Sequence, residues 1–393
     1  MRLLALLLCG LHLFAAEPAP PAAEVDRILG ELSDMTGFPV RKRVESEVIT
    51  KANVNEFLKQ RMKEAVKPKE LRAEELTLKA FGLVPRDFNL GASTVELLTE
   101  QAAAYYDFQR KKLFLTDWGS SSMGEAALVH ELAHALADQS FNLGRFLKRS
   151  ESDEGAAALS AVMEGQATWL MTEYGLKKNG QSLATSGEML RGGGPASGSF
   201  PVFDNSPLYL RETLVFPYTA GLRFQHAVYE RMGKAAFREV FTNPPVSTQQ
   251  ILHPEKYFAR VKPTEPALPK HPLPRGLKTL VEGMVGEFDH SILLEQYAGR
   301  AESEAIAPRW RGGRFKLSEK GSQIVLLYAS EWENADAARK YFEAYRKVLS
   351  GKWKSMTVVS GTPDSIRGRG DSGDFVVAVT GTIVTSVEGI GLN

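Results

Sequence analysis

His130-Glu131-Leu132-Ala133-His134 sets two imidazoles four residues apart with a carboxylate beside the first. On a helix, positions i and i+4 share one face, so both rings reach a single Zn²⁺. Glu131, the next position after His130, then projects toward a water held by that metal. Zinc lowers the pKa of such a water to about 7 and a neighbouring carboxylate takes its proton, which is the chemistry of metal-assisted hydrolysis. A catalytic zinc needs a third protein ligand and one open position. The sole cysteine, Cys9, lies in an N-terminal apolar run, so the ligands must be histidines and carboxylates. Two carboxylates follow, Glu154 and Glu164, each opening a Glu-Gly pair. Glu164 stands in a run rich in Ala, Met and Trp, where an acid needs a partner. Asp138, one turn beyond His134, is spaced to accept a hydrogen bond from the far nitrogen of that ring.

These residues have to be positioned by helices. MGEAALVHELAHALAD carries apolar residues at i, i+3 and i+4 with no proline, which predicts a helix with the motif at its middle. Residues 156–174 read as a second helix carrying Glu164. Before the motif, AAAYYDFQ and KKLFLTD form two short runs with a turn at 110–112, a hairpin pattern. Tyr105 and Tyr106 in it are expected to pack, since strand aromatics usually do. Residues 22–36 read as a helix, 38–50 as a strand, 53–82 as two helices broken near Pro68, and ASTVELLTEQAAA as another helix. Residues 191–207 are rich in Gly, Ser and Pro and are expected to form a loop, and 216–233 resume a helix. VKPTEPALPKHPLPRG at 261–276 reads as a linker, and beyond it strand, helix and further strands suggest a small α+β unit. No fixed-period repeat is visible.

The combination of HELAHALADQSFNL, VMEGQATWLM and VSTQQILHPEKY resembles exported bacterial proteins of the gluzincin type, which carry HExxH, a downstream EGxA glutamate and an STxQxLHPxKY segment. The resemblance covers residues 38–260, and the C-terminal part more weakly. It implies Glu164 as the third ligand; Glu154 stays a rival because its spacing from His134 matches thermolysin-like gluzincins. It also implies a His or Tyr that stabilises the oxyanion of amide hydrolysis. His253 in ILHPEKY is the first candidate and Tyr218 in FPYTAG the second. His226, His271 and His290 lack a partner at ligand spacing and are expected to be packing or surface residues. The chain departs from the pattern at Arg309-Trp310-Arg311-Gly312-Gly313-Arg314, where related chains carry a Gly-Trp-Gly-Gly-Asp-like turn. The implied fold is α+β: a largely helical, zincin-like metallopeptidase domain with a short strand hairpin, then a small α+β domain. The expected organisation is a signal peptide at 1–16, an N-terminal linker or helix at 17–37, the metallohydrolase domain at 38–260, the Pro-rich linker at 261–276 and the C-terminal domain at 277–393.

Composition sets the setting of this chemistry. The chain has 393 residues, 43% hydrophobic and 24% charged, with a formal net charge of +1. That is ample material for a large core, and the near-neutral balance argues against a nucleic-acid partner. The opening MRLLALLLCGLHLFAA, followed by AEPAPPAA, has the basic start, apolar run and small residues of an export signal and is shorter than a membrane span. The expectation is an exported, periplasmic or extracellular metallopeptidase with one Zn²⁺ per chain. It would act on a peptide or protein substrate and keep no membrane span after signal cleavage, with the oligomeric state left open. The alternative, from a different class, is a zinc-stabilised, inactive binding or scaffolding protein of the envelope; the presence of Glu131 favours the enzyme.

Overall fold

The computed structural model describes residues 22–101, 104–116, 124–150, 152–185, 187 and 200–391. The signal-like segment lies outside them.

The protein is α+β. The chain opens with helix α1 (Ala22–Thr36), strand β1 (Glu45–Ile49), α2 (Lys51–Ala65), α3 (Pro68–Phe81) and α4 (Leu90–Gln101). Thr50 caps α2 through the Asn53 amide, and Pro68 opens α3 at the position where a missing N–H costs nothing. Gly82 ends α3 in the left-handed conformation at φ 81°, which glycine adopts without strain. The expected strand over 38–50 is confined to its last residues. Before it, the amides of Arg41 and Lys42 donate to the Gln139 side chain, and Phe38 packs edge-on against Phe141, so this stretch is spoken for by a helix.

The hairpin forms as expected, β2 (Ala104–Asp107) antiparallel to β3 (Lys112–Thr116). Asp107 builds its turn by accepting from the amides of Gln109 and Arg110. β1 joins β3 on its other side in parallel, giving the order β1-β3-β2.

Helices α5 (Gly124–Phe141), the short α6 (Leu143–Phe146), α7 (Asp153–Lys178), α8 (Pro201–Asn205) and α9 (Leu208–Met232) follow. Of the expected loop at 191–207, residues 191–199 lie outside the described residues, and residues 201–205 form α8 instead. Proline opens it, and both oxygens of Glu100 accept the amides of Val202 and Phe203, a carboxylate at a helix start. α9 begins eight residues earlier than its apolar pattern suggested and runs through Pro217, which forgoes one helical hydrogen bond. The chain continues through α10 (Ala236–Thr242), α11 (Thr248–Leu252) and α12 (Pro254–Phe258).

After the Pro-rich stretch come β4 (Lys278–Gly283), α13 (Glu287–Ala298), α14 (Arg300–Ile306), β5 (Trp310–Lys320), β6 (Gln323–Trp332), α15 (Ala335–Lys352), β7 (Met356–Thr362), β8 (Ser365–Gly370), β9 (Gly373–Thr380) and β10 (Ile383–Ile390). The strands make an antiparallel sheet in the order β4-β5-β6-β10-β9-β8-β7. α15 buries Tyr341, Phe342, Tyr345, Val348 and Leu349, one helical face at i, i+3 and i+4. The apolar core continues across the Pro-rich stretch: Phe81 at the end of α3 lies edge-on to Phe315 and Tyr328 at 5.5 and 5.3 Å. The open carbonyls at that helix end are satisfied from the C-terminal half, Gly82 by Gln296 and Tyr297 and Ala80 by Lys352.

Candidate metal centre

α5 and α7 bring three side chains to one point. Nε2 of His130 and Nε2 of His134 each lie 3.1 Å from Oε2 of Glu164, and one ligand atom from each residue falls within 4.8 Å of the others. His130 and Glu164 are fully buried and His134 is 3% exposed. The two rings stand nearly perpendicular, 4.7 Å apart, as i and i+4 neighbours on one helix face. Burial works against the charged Glu164, but the charge of His134 and hydrogen bonds from both imidazoles outweigh it and hold this carboxyl below the usual range. Burial likewise disfavours the His134 imidazolium, and the charge and hydrogen bond of Glu164 outweigh it, raising that pKa.

The residues fit a metal ion by their donors. Oε1 of Glu164 is buried with no hydrogen-bond partner among the described residues. Such an oxygen is expensive unless something satisfies it. Two imidazole nitrogens and one carboxylate oxygen are also a donor set suited to zinc.

The Glu-Gly pair has a packing reason. A Cβ on Gly165 would stand 2.2 Å from the backbone carbon of Gly221 in α9, and a Cβ on Gly221 would stand 2.2 Å from the Ala161 carbonyl oxygen. α7 and α9 thus touch backbone to backbone directly beside Glu164. One turn before Gly221, Tyr218 is carried beside His130, with the two ring centres 6.0 Å apart. Tyr218 is half-buried.

Glu131 is fully buried, and its Oε2 accepts the Tyr106 amide of β2 at 2.7 Å. The strand edge therefore fixes the carboxylate's orientation. The Tyr106 ring packs in the core as expected, while its hydroxyl donates to Asp138 at 3.0 Å. Tyr105 packs between Phe57 and Phe114. Asp138 is spent on that hydroxyl, on Lys111 at 2.6 Å and on the Leu143 amide at 2.9 Å. It does not hydrogen-bond His134, contrary to expectation, and acts on that ring through its charge alone.

The rival Glu154 stands elsewhere. Ten residues of helix separate it from Glu164, about 15 Å of axial rise. Its Oε1 accepts both the amide and the hydroxyl of Thr248 at 2.7 Å, so it anchors α11. His253 belongs to this same end: its Nε2 lies 2.6 Å from Glu287, whose other oxygen takes Gln249. The structure therefore brings Tyr218 to the metal group and not His253, whose loop is held by acids at the start of α7 and α13. His290 is buried between Gly286 and Tyr328 and His271 is bonded to the neighbouring Pro272 carbonyl, packing or local roles as expected, whereas His226, besides bonding Trp169, does have an acid at helical spacing, Glu230 at 3.6 Å.

Two features escaped sequence reasoning. The Tyr106 amide is a backbone group with no residue signature. The Gly165–Gly221 contact had a legible signal, a glycine inside each of two long helices. Residues 223–392 are similar to a domain of unknown function, DUF8575. That stretch begins in α9 beyond Tyr218 and Gly221 and contains none of the metal group. No curated protein and no solved structure matches the chain. Among the described residues, no helix is long and apolar enough to cross a membrane.

Proposed function

We propose that the protein is an exported zinc-dependent peptidase of the gluzincin type with a zincin-like catalytic domain, holding one Zn²⁺ on His130, His134 and Glu164. The observation that carries this reading is the convergence of those three ligand atoms within 4.8 Å beside a carboxylate on the same helix. When bound, zinc supplies Lewis acidity that acidifies a water and polarises a carbonyl. Glu131, oriented by the Tyr106 amide, is the general base and carries the water's proton toward the leaving amine. Tyr218 supplies the phenolic O–H that meets charge developing on the carbonyl oxygen. Asp138 holds the hairpin against α5 through Tyr106 and Lys111, which keeps β2 in register with Glu131. The exported setting rests on the N-terminal run of the sequence.

One observation favours a second reading, a zinc-stabilised envelope protein without turnover: His130, Glu131 and Glu164 are all fully buried. A single comparison separates the two. Wild type and Glu131→Gln are analysed for zinc and tested on casein and a peptide library with and without chelator. The enzyme reading expects equal zinc and a loss of at least about a hundredfold in cleavage, the lower range for a general base. A wild type that holds zinc and cleaves nothing in the library would establish the second reading instead.

A further inference from the structure

A cavity of about 330 Å³ opens at the far end of α7, between α3, β4 and the start of α13. Its volume falls at the small end of ligand sites, which run from about 300 to 1,000 Å³. The walls are largely apolar, formed by Leu78, Phe81, Leu280, Val281, Met284 and Phe315, and Asp289 also lines it. Asp289 is 5% exposed; its Oδ2 accepts the Gly286 amide at 3.1 Å, while Oδ1 has no hydrogen-bond partner among the described residues.

The lining holds one cationic side chain, Lys69, against four carboxyl groups, those of Glu70, Glu74, Asp153 and Asp289. Among the described residues, the only ion pair made by Glu154, Glu287 or Asp289 is that of Glu287 with His253. Burial pushes Asp289 up to about 6, and burial together with the charge of Asp289 pushes Glu154 up to about 8. A buried carboxyl with an unsatisfied oxygen is costly, and a cation entering the cavity would relieve it. A metal ion is a poor candidate. Among the described residues, the only group of three or more side chains at metal-ligating distances is the one on α5 and α7, and a hard cation needs six or more oxygens. A largely apolar surface with an excess of carboxylates, of which Asp289 alone is buried, suits an amphiphilic cation instead.

We propose that this cavity binds a small organic cation, a primary ammonium on an apolar body, with Asp289 as its counter-ion. The site is independent of the zinc reading. Asp153, which also lines it, lies eleven residues or about 16 Å of helix from Glu164.

The test titrates the purified protein with n-hexylamine and with 1-hexanol, equal in chain length and differing in charge, by ligand-observed NMR at pH 7. The amine is expected to bind at least tenfold more tightly than the alcohol. Asp289→Asn should abolish that preference, and Leu280→Trp, from the partly exposed rim, should weaken both ligands by filling the cavity. Circular dichroism checks the fold of each variant; if Asp289→Asn does not fold, loss of amine binding in Leu280→Trp supports the site and its retention overturns it. Chelator should leave amine binding unchanged, so this result stands apart from any outcome at the metal group. Equal affinity for amine and alcohol, no binding of either, or a preference that survives Asp289→Asn overturns the proposal.

Discussion

Replacing Gly165 by Ala sets two effects of opposite sign against each other. In a helix interior, alanine is favoured over glycine by up to about 1 kcal/mol. Against this, the new methyl would lie 2.2 Å from the Gly221 carbon and 2.3 Å from its oxygen. Carbon contacts are comfortable at about 3.5–4.0 Å, so α7 and α9 would have to part by more than about 1 Å. Both partners are helix backbone and cannot rotate aside. Overpacking typically costs about 1–3 kcal/mol, and an unyielding contact belongs at the upper end. The expected net is a destabilisation of about 2 kcal/mol, more than tenfold in the folding equilibrium. Gly175 in the same helix is the internal control, because a Cβ there meets nothing within 4 Å. Gly175→Ala should therefore stabilise the protein by about 0.5–1 kcal/mol. Urea unfolding midpoints measure both. Since the clash moves the residue next to Glu164, a competition titration with a chromophoric chelator should show zinc affinity falling at least tenfold in Gly165→Ala and unchanged in Gly175→Ala. If the two variants shift stability in the same direction, the backbone contact between α7 and α9 does not have the role assigned to it.

Metal analysis should find one zinc in the wild type, little in His130→Ala or His134→Ala, a sharp loss of affinity in Glu164→Ala and no change in Glu154→Ala; full occupancy after loss of either histidine would end the assignment. Tyr218→Phe should retain zinc while lowering kcat on any cleaved peptide by about a hundredfold, the scale of one oxyanion donor. His253→Gln should leave kcat close to wild type, and the reverse ranking would return the role to His253. Burial and the charge of Asp289 push the Glu154 carboxyl up to about 8 from its ordinary 4.5, so the folded state holds a proton that the unfolded state releases between those values. Its contribution is fully present below about 4.5 and is lost as pH rises toward 8. Melting temperatures measured from pH 5 to 8.5 should therefore fall less steeply in Glu154→Gln, which keeps an acceptor for Thr248; parallel curves would refute the assignment.

Much of this protein was legible from local pattern. The i, i+4 spacing of His130 and His134 dictates a shared helix face wherever the helix goes, and the periodicity of 124–141 makes it a helix. Pro68, Gly82 and the turn at Asp107 punctuate the chain through backbone chemistry that needs no tertiary partner. What local pattern does not hold is which distant groups meet. Glu154 and Glu164 look alike in sequence, each an acid before a glycine; Thr248 claims the first and the two imidazoles claim the second, and only the packing of α7 against α5, α9 and α11 decides this. Asp138 was spaced for His134 but faces the hairpin, where a phenol, an ammonium and an amide offer stronger partners. His253 and Tyr218 were separable only once α9 was seen to lie against α7 at Gly165, a contact made possible by the absence of two side chains. Helix periodicity is set by neighbours along the chain, whereas a metal site is set by neighbours in space, and three-dimensional proximity of residues 130, 164 and 218 comes from the core as a whole.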